Sequence, residues 1–140
     1  MQDKFPRLLL PAQRLVGLMD SLTGLLLLFL PLQTLRLMGI SEPAGPNIFL
    51  SWVGVFVFSV GLSYFLVGGL PRDANAVAAW RMQWLITAVA RCAVALFVAL
   101  SVARGSLETA WLPVAATDLV VGGLQAIGLH KQLLERVLQG

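Results

Sequence analysis

The chain has 140 residues, which is enough for one domain. It is 58% hydrophobic and only 12% charged, whereas a soluble domain typically carries about 25% charged residues and has too small an interior to bury so many apolar side chains. The net charge of +3 does not indicate a nucleic-acid-binding protein, because the basic residues flank apolar segments and form no patch with interleaved aromatic residues.

Four apolar segments are long enough to cross a bilayer, whose hydrocarbon core of about 30 Å needs roughly 20 residues of helix. We predict transmembrane spans at about residues 15–38, 48–70, 80–103 and 111–130. The first follows basic residues, as a signal peptide does, but no cleavage site follows it, so we expect an uncleaved span. The predicted fold class is all-α: a polytopic membrane protein with a single four-helix domain over residues 1–140, in which the transmembrane helices form an antiparallel bundle.

The distribution of Lys and Arg predicts the orientation of the chain, because basic residues concentrate on the cytoplasmic side. Seven lie in the two terminal segments and around the middle loop: Lys4, Arg7, Arg14, Arg72, Arg81, Lys131 and Arg136. The two opposite loops hold only Arg36 and Arg104. We therefore expect both termini to be cytoplasmic; the resemblance described below adds the expectation of a bacterial cytoplasmic (inner) membrane.

Three ionisable residues fall inside the predicted spans, where a charge costs about 2.5–3.5 kcal/mol on insertion scales. They are Asp20, Arg91 and Asp118, and each shares a helix face with small or polar residues. We predict an intramembrane polar cluster of Asp20, Tyr64, Arg91 and Gln125, with Asp118 above it. Because side chains tilt toward the N-terminus of a helix, Asp20 is predicted to reach Arg91 more easily than Asp118 does.

Glycines at regular spacing predict where the helices pack, since small residues let helix backbones approach closely in a membrane. In the second span they recur every seven residues. The predicted packing positions are Gly17, Gly24, Gly54, Gly61, Gly68 and Gly122.

Catalytic and metal-binding chemistry has little support in the sequence. Cys92 is the only cysteine and His130 the only histidine, so a disulfide, a CxxC pair or a cysteine metal site within the chain is excluded. We assign no catalytic residue and no metal site, and no covalent or metal cofactor is implied. Contact with a lipid, a quinone or a pigment is left open by the composition.

The layout of three spans resembles the DoxX-like group of small bacterial four-helix membrane proteins. The residues that carry this resemblance are 14–31 (RLVGLMDSLTGLLLLFLP), 52–69 (WVGVFVFSVGLSYFLVGG) and 116–129 (ATDLVVGGLQAIGL). The resemblance implies a four-helix membrane fold. Members of the group have been linked to thiosulfate and quinone-coupled oxidation, whereas redox roles in related families depend on paired cysteines, which this chain lacks.

Two functional hypotheses follow, with a third ranked below them. The first is a small non-catalytic accessory subunit that packs against larger membrane-complex partners. The second is a small oligomeric transporter coupled to protons through Asp20 or Asp118, and the third is a quinone- or lipid-linked DoxX-like redox protein. The expected partners are the lipid bilayer and either other membrane subunits or further copies of the chain, with no nucleic acid. An enzyme is the less favoured class.

Overall fold

A computed structural model describes residues 5–42, 45–71 and 74–138 of the chain. In these ranges the structure is helical and contains no strand. The helices are α1 (Phe5–Phe29), α2 (Pro31–Leu37), α3 (Ile48–Gly68), α4 (Ala74–Ala103), α5 (Leu112–His130) and α6 (Leu133–Leu138), with a 3-10 turn (Thr109–Trp111) before α5.

Four helical segments are long and apolar enough to cross a membrane. They are Leu9–Phe29, Ile48–Gly68, Asn75–Ala103 and Thr109–His130. The prediction of an all-helical chain with four candidate spans is thereby confirmed. Of the basic residues on which the predicted orientation depends, Lys4 and Arg72 lie outside the described residues, and the orientation stays a prediction.

The first predicted span differs from the observed helix at both ends. α1 begins at Phe5 and continues through Pro11, and the chain breaks at Leu30, with φ −134° and ψ 52°, before α2 begins at Pro31. The break has a steric cause, because a proline disfavours the helical conformation of the residue before it. Residues 15–38 therefore form parts of two helices, not one continuous span.

By its contacts the chain divides into two compact units, Met1–Pro71 (the first unit) and Arg72–Gly140 (the second unit). Each unit contains one pair of long helices. The predicted four-helix bundle and single domain stay predictions, since they concern how the two pairs are arranged.

In the first unit, α1 and α3 pack in antiparallel directions along glycines. Gly17 lies against Tyr64, Gly24 against Phe58, and Gly54 against Gly24 and Leu28. A methyl group added at Gly54 would lie 2.6 Å from the backbone nitrogen of Leu28, closer than atoms can approach without displacement. The two backbones are therefore in direct contact, an arrangement that small residues permit in membrane helix pairs.

The second unit is a second antiparallel pair, α4 with α5, to which α6 is added. Gly128 lies against Trp84 near the start of α4, and Gly122 lies against Arg91 in its middle. Toward the other end, Ala95 and Val98 of α4 form an apolar cluster with Ala115 of α5. This register places polar residues of the two helices opposite each other in the middle of the unit.

Candidate functional site

A buried ion pair joins α4 to α5. Nη1 of Arg91 lies 2.5 Å from Oδ1 of Asp118 and donates a hydrogen bond to it. The side chains are only 8% and 16% exposed. Charged groups in transmembrane segments are costly unless they are paired, and this ion pair offsets part of that cost within one helix pair.

The sequence predicts that Asp20 reaches Arg91 more easily than Asp118 does. The described contacts include the Arg91–Asp118 pair, and a contact between Arg91 and Asp20 stays a prediction. Cβ of Arg91 lies 3.2 Å from the position of a Cβ at Gly122, so the two residues are level. Asp118 precedes Gly122 by one turn of α5, about 5.4 Å along the axis. The arginine side chain is long enough to cover that turn against the usual tilt of helical side chains.

One turn from the ion pair, a second polar contact joins the same helices. Nε2 of Gln125 donates a hydrogen bond to Oγ1 of Thr87 at 3.0 Å, and that hydroxyl donates to the backbone carbonyl of Gln83 at 2.8 Å. Thr87 and Gln125 are both buried. We define the α4–α5 polar ladder as the ion pair together with this Thr87–Gln125 contact.

The predicted cluster residues are distributed over both units. Arg91, Asp118 and Gln125 belong to the α4–α5 polar ladder of the second unit. Asp20, partly buried on α1, and Tyr64, buried on α3 beside Gly17, belong to the first unit. A cluster that contains all five residues stays a prediction.

Five of the six predicted packing glycines are buried between helices. Gly17, Gly24, Gly54 and Gly61 are buried between α1 and α3, and Gly122 is buried between α4 and α5. The sixth, Gly68, is the last residue of α3 and is exposed.

Two features of these helix pairs escaped the sequence analysis. Gln13 of α1 is buried, and its position four residues before Gly17 on the same helix face was the available signal. The second missed feature is the contact between Gly128 and Trp84. The available signal was Gly128 itself, since a glycine in an apolar span leaves room for a large ring on the opposing helix.

Metal binding has no candidate site in the described part of the chain, where no group of three His, Cys, Asp or Glu side chains comes together. Cys92 is exposed on α4. Within the second unit, the hydrogen bonds described above join an arginine to an aspartate and a threonine to a glutamine, a chemistry suited to joining helices.

Comparisons with protein-family models, with curated proteins and with solved structures find no match to this chain.

We predict a modest cost for removing the hydroxyl of Thr87. Thr87→Val keeps the shape of the side chain but removes the acceptor of the Gln125 amide, and cross-helix hydrogen bonds in membrane proteins contribute on average about 0.6 and at most about 1.7 kcal/mol. The free energy of unfolding in mixed micelles should therefore fall by about 0.6 kcal/mol and by no more than about 1.7 kcal/mol. Thr117→Val is the matched control, because the Thr117 hydroxyl donates to the Pro113 carbonyl of its own helix. An equal loss in both variants would contradict a cross-helix role.

Proposed function

We propose that this protein is a small, non-catalytic integral membrane subunit that packs against larger subunits of a membrane complex. The observation that carries the proposal is the Arg91–Asp118 ion pair, which lies between two helices of one unit and is largely buried. A pair that neutralises itself in this way supports a role in holding helices together, and it leaves neither charge as an isolated group.

Exposed apolar residues on the long helices also support the proposal. On α3, Phe49, Trp52 and Phe56 are all more than half exposed. In a membrane such apolar faces contact lipid or other transmembrane helices, and aromatic residues are enriched where proteins meet. We place both termini on the cytoplasmic side on the basis of the Lys and Arg distribution, and the DoxX-like resemblance supports the bacterial cytoplasmic membrane.

Purification from native membranes tests this proposal. The tagged protein, extracted in a mild detergent, should bring down larger membrane proteins in a fixed ratio that mass spectrometry can count. A second apolar membrane protein of similar length, tagged in the same way, serves as the control for nonspecific recovery. Recovery of the tagged chain alone, or only as a homo-oligomer, would contradict the proposal.

A proton-coupled transporter is the second candidate function. The observation in its favour is Asp20, a carboxylate that is partly buried in the middle of the span Leu9–Phe29, since intramembrane carboxylates are frequent members of proton relays. In proteoliposomes a transporter should show pH-dependent substrate flux that Asp20→Asn abolishes. Flux that is the same in Asp20→Asn, in Asp118→Asn and in the unmodified protein would exclude carboxylate coupling.

A further inference from the structure

The start of α4 and helix α6 form a shelf beyond the end of α5. The span Asn75–Ala103 has 29 residues, or roughly 43 Å at a rise of about 1.5 Å per residue, which exceeds a hydrocarbon core of about 30 Å. Because Gly128 lies against Trp84 and α5 ends at His130, the first turns of α4 continue past α5. The excess length of α4 is therefore at this end.

Helix α6 folds back onto these first turns. Gln132 adopts a left-handed backbone conformation with φ 52°, which turns the chain sharply after α5. Leu134 is then 2% exposed, and Oε1 of Glu135 lies 2.9 Å from Nη1 of Arg81 on α4. The shelf thus has a buried apolar side and an ion pair that ties α6 to α4.

Cations dominate the exposed side of this shelf. Among the described residues at this end, Arg81, Lys131 and Arg136 are exposed and Glu135 is the one carboxylate. At the opposite end of the second unit the exposed charges are balanced, with Arg104 and Glu108. We define the basic platform as the surface formed by Arg81 on α4, Lys131 in the turn after α5, and Arg136 on α6.

We infer that the basic platform binds the headgroups of anionic phospholipids. The excess length of α4 places the platform at the level of the phosphates, outside the hydrocarbon core, and its excess of positive charge is complementary to them. Arg and Lys both bind phosphate oxygens through charge-assisted hydrogen bonds, and each basic residue near an anionic membrane surface contributes about 1 kcal/mol of attraction. The inference is independent of whether the protein packs against other subunits.

Native mass spectrometry of the whole protein, released from neutral detergent micelles, tests this inference. We expect phosphatidylglycerol to bind more tightly than phosphatidylcholine with the same acyl chains. Lys131→Gln and Arg136→Gln should each weaken phosphatidylglycerol binding about fivefold, the factor that corresponds to about 1 kcal/mol per charge. Arg104→Gln, which removes the same charge at the opposite end, should leave that affinity unchanged.

Glu135→Gln distinguishes headgroup binding from a purely structural role. It removes the anion that competes with phosphate for Arg81, so it should raise phosphatidylglycerol affinity, whereas a loosened shelf would lower it. In the unmodified protein, added salt should weaken phosphatidylglycerol binding because it screens exposed charges. Equal binding of the two lipids, an equal loss in Arg104→Gln, or a phosphatidylglycerol affinity that salt does not change would overturn the inference.

Discussion

Replacing Asp118 by leucine should destabilise the protein by about 3–5 kcal/mol, the usual cost of removing one partner from a buried ion pair. The guanidinium of Arg91, whose side chain is 8% exposed, would then lose the carboxylate that Asp118 provides. The free energy of unfolding should be measured in mixed micelles by titration with a denaturing detergent, with helix content as the readout.

The double variant Arg91→Met/Asp118→Leu is the control. It distinguishes the loss of the ion pair from the cost of leaving one buried charge without its partner. Replacing both members of a buried ion pair by apolar residues of similar size is often neutral or stabilising by about 1–4 kcal/mol. We therefore expect the double variant to recover at least the stability of the unmodified protein. If the double variant loses as much stability as the two single variants do together, the residues do not act as a pair.

Replacing Gly24 by alanine should be the most damaging of the small substitutions. The added methyl group would overlap the backbone nitrogen and Cα of Phe58, and a backbone in the middle of a helix cannot move aside by a change of rotamer. Overpacking costs typically about 1–3 kcal/mol and occasionally more, and we expect the upper part of that range. Unfolding in the same mixed micelles measures it.

Gly123→Ala is the matched control for Gly24→Ala. Gly123 also lies inside a long helix, but an added Cβ there would meet no described atom within 4 Å apart from its chain neighbours and the nearby backbone of its own helix. There the substitution should stabilise the protein by roughly 0.5–1 kcal/mol, because alanine loses less conformational freedom in a helix than glycine does. The two substitutions should therefore have opposite signs, and similar effects at both positions would refute direct backbone contact between α1 and α3.

The sequence was sufficient to predict the number and approximate position of the long helices. The reason is physical: a bilayer demands a fixed length of apolar helix, and hydrophobicity over such a length is a strong signal. Local boundaries were harder, because the extension of α1 back to Phe5 and its break at Leu30 depend on how single prolines are accommodated. Pro11 is accommodated within a helix and Pro31 begins a new one, although both are prolines in apolar surroundings.

The partners of polar residues were less predictable than the faces on which they lie. Helical spacing placed Arg91, Asp118 and Gln125 on faces with small residues. Which carboxylate Arg91 meets depends on the register of α4 against α5, and that register is set by contacts such as Gly122 with Arg91 and Gly128 with Trp84. A depth estimated from a single sequence does not fix this register, so the Arg91–Asp118 contact could not be predicted from depth alone.

The most direct test of a structural, non-catalytic role for this protein is the recovery of partner subunits by the charge-free double variant Arg91→Met/Asp118→Leu. The tagged variant and the unmodified protein should be purified in parallel from native membranes in a mild detergent and counted by quantitative mass spectrometry. We predict that both recover the same larger membrane proteins in the same ratio, because an apolar pair can hold α4 against α5 in place of the ion pair. A double variant that keeps its helix content but loses those partners would contradict the account, because the charges themselves would then be required.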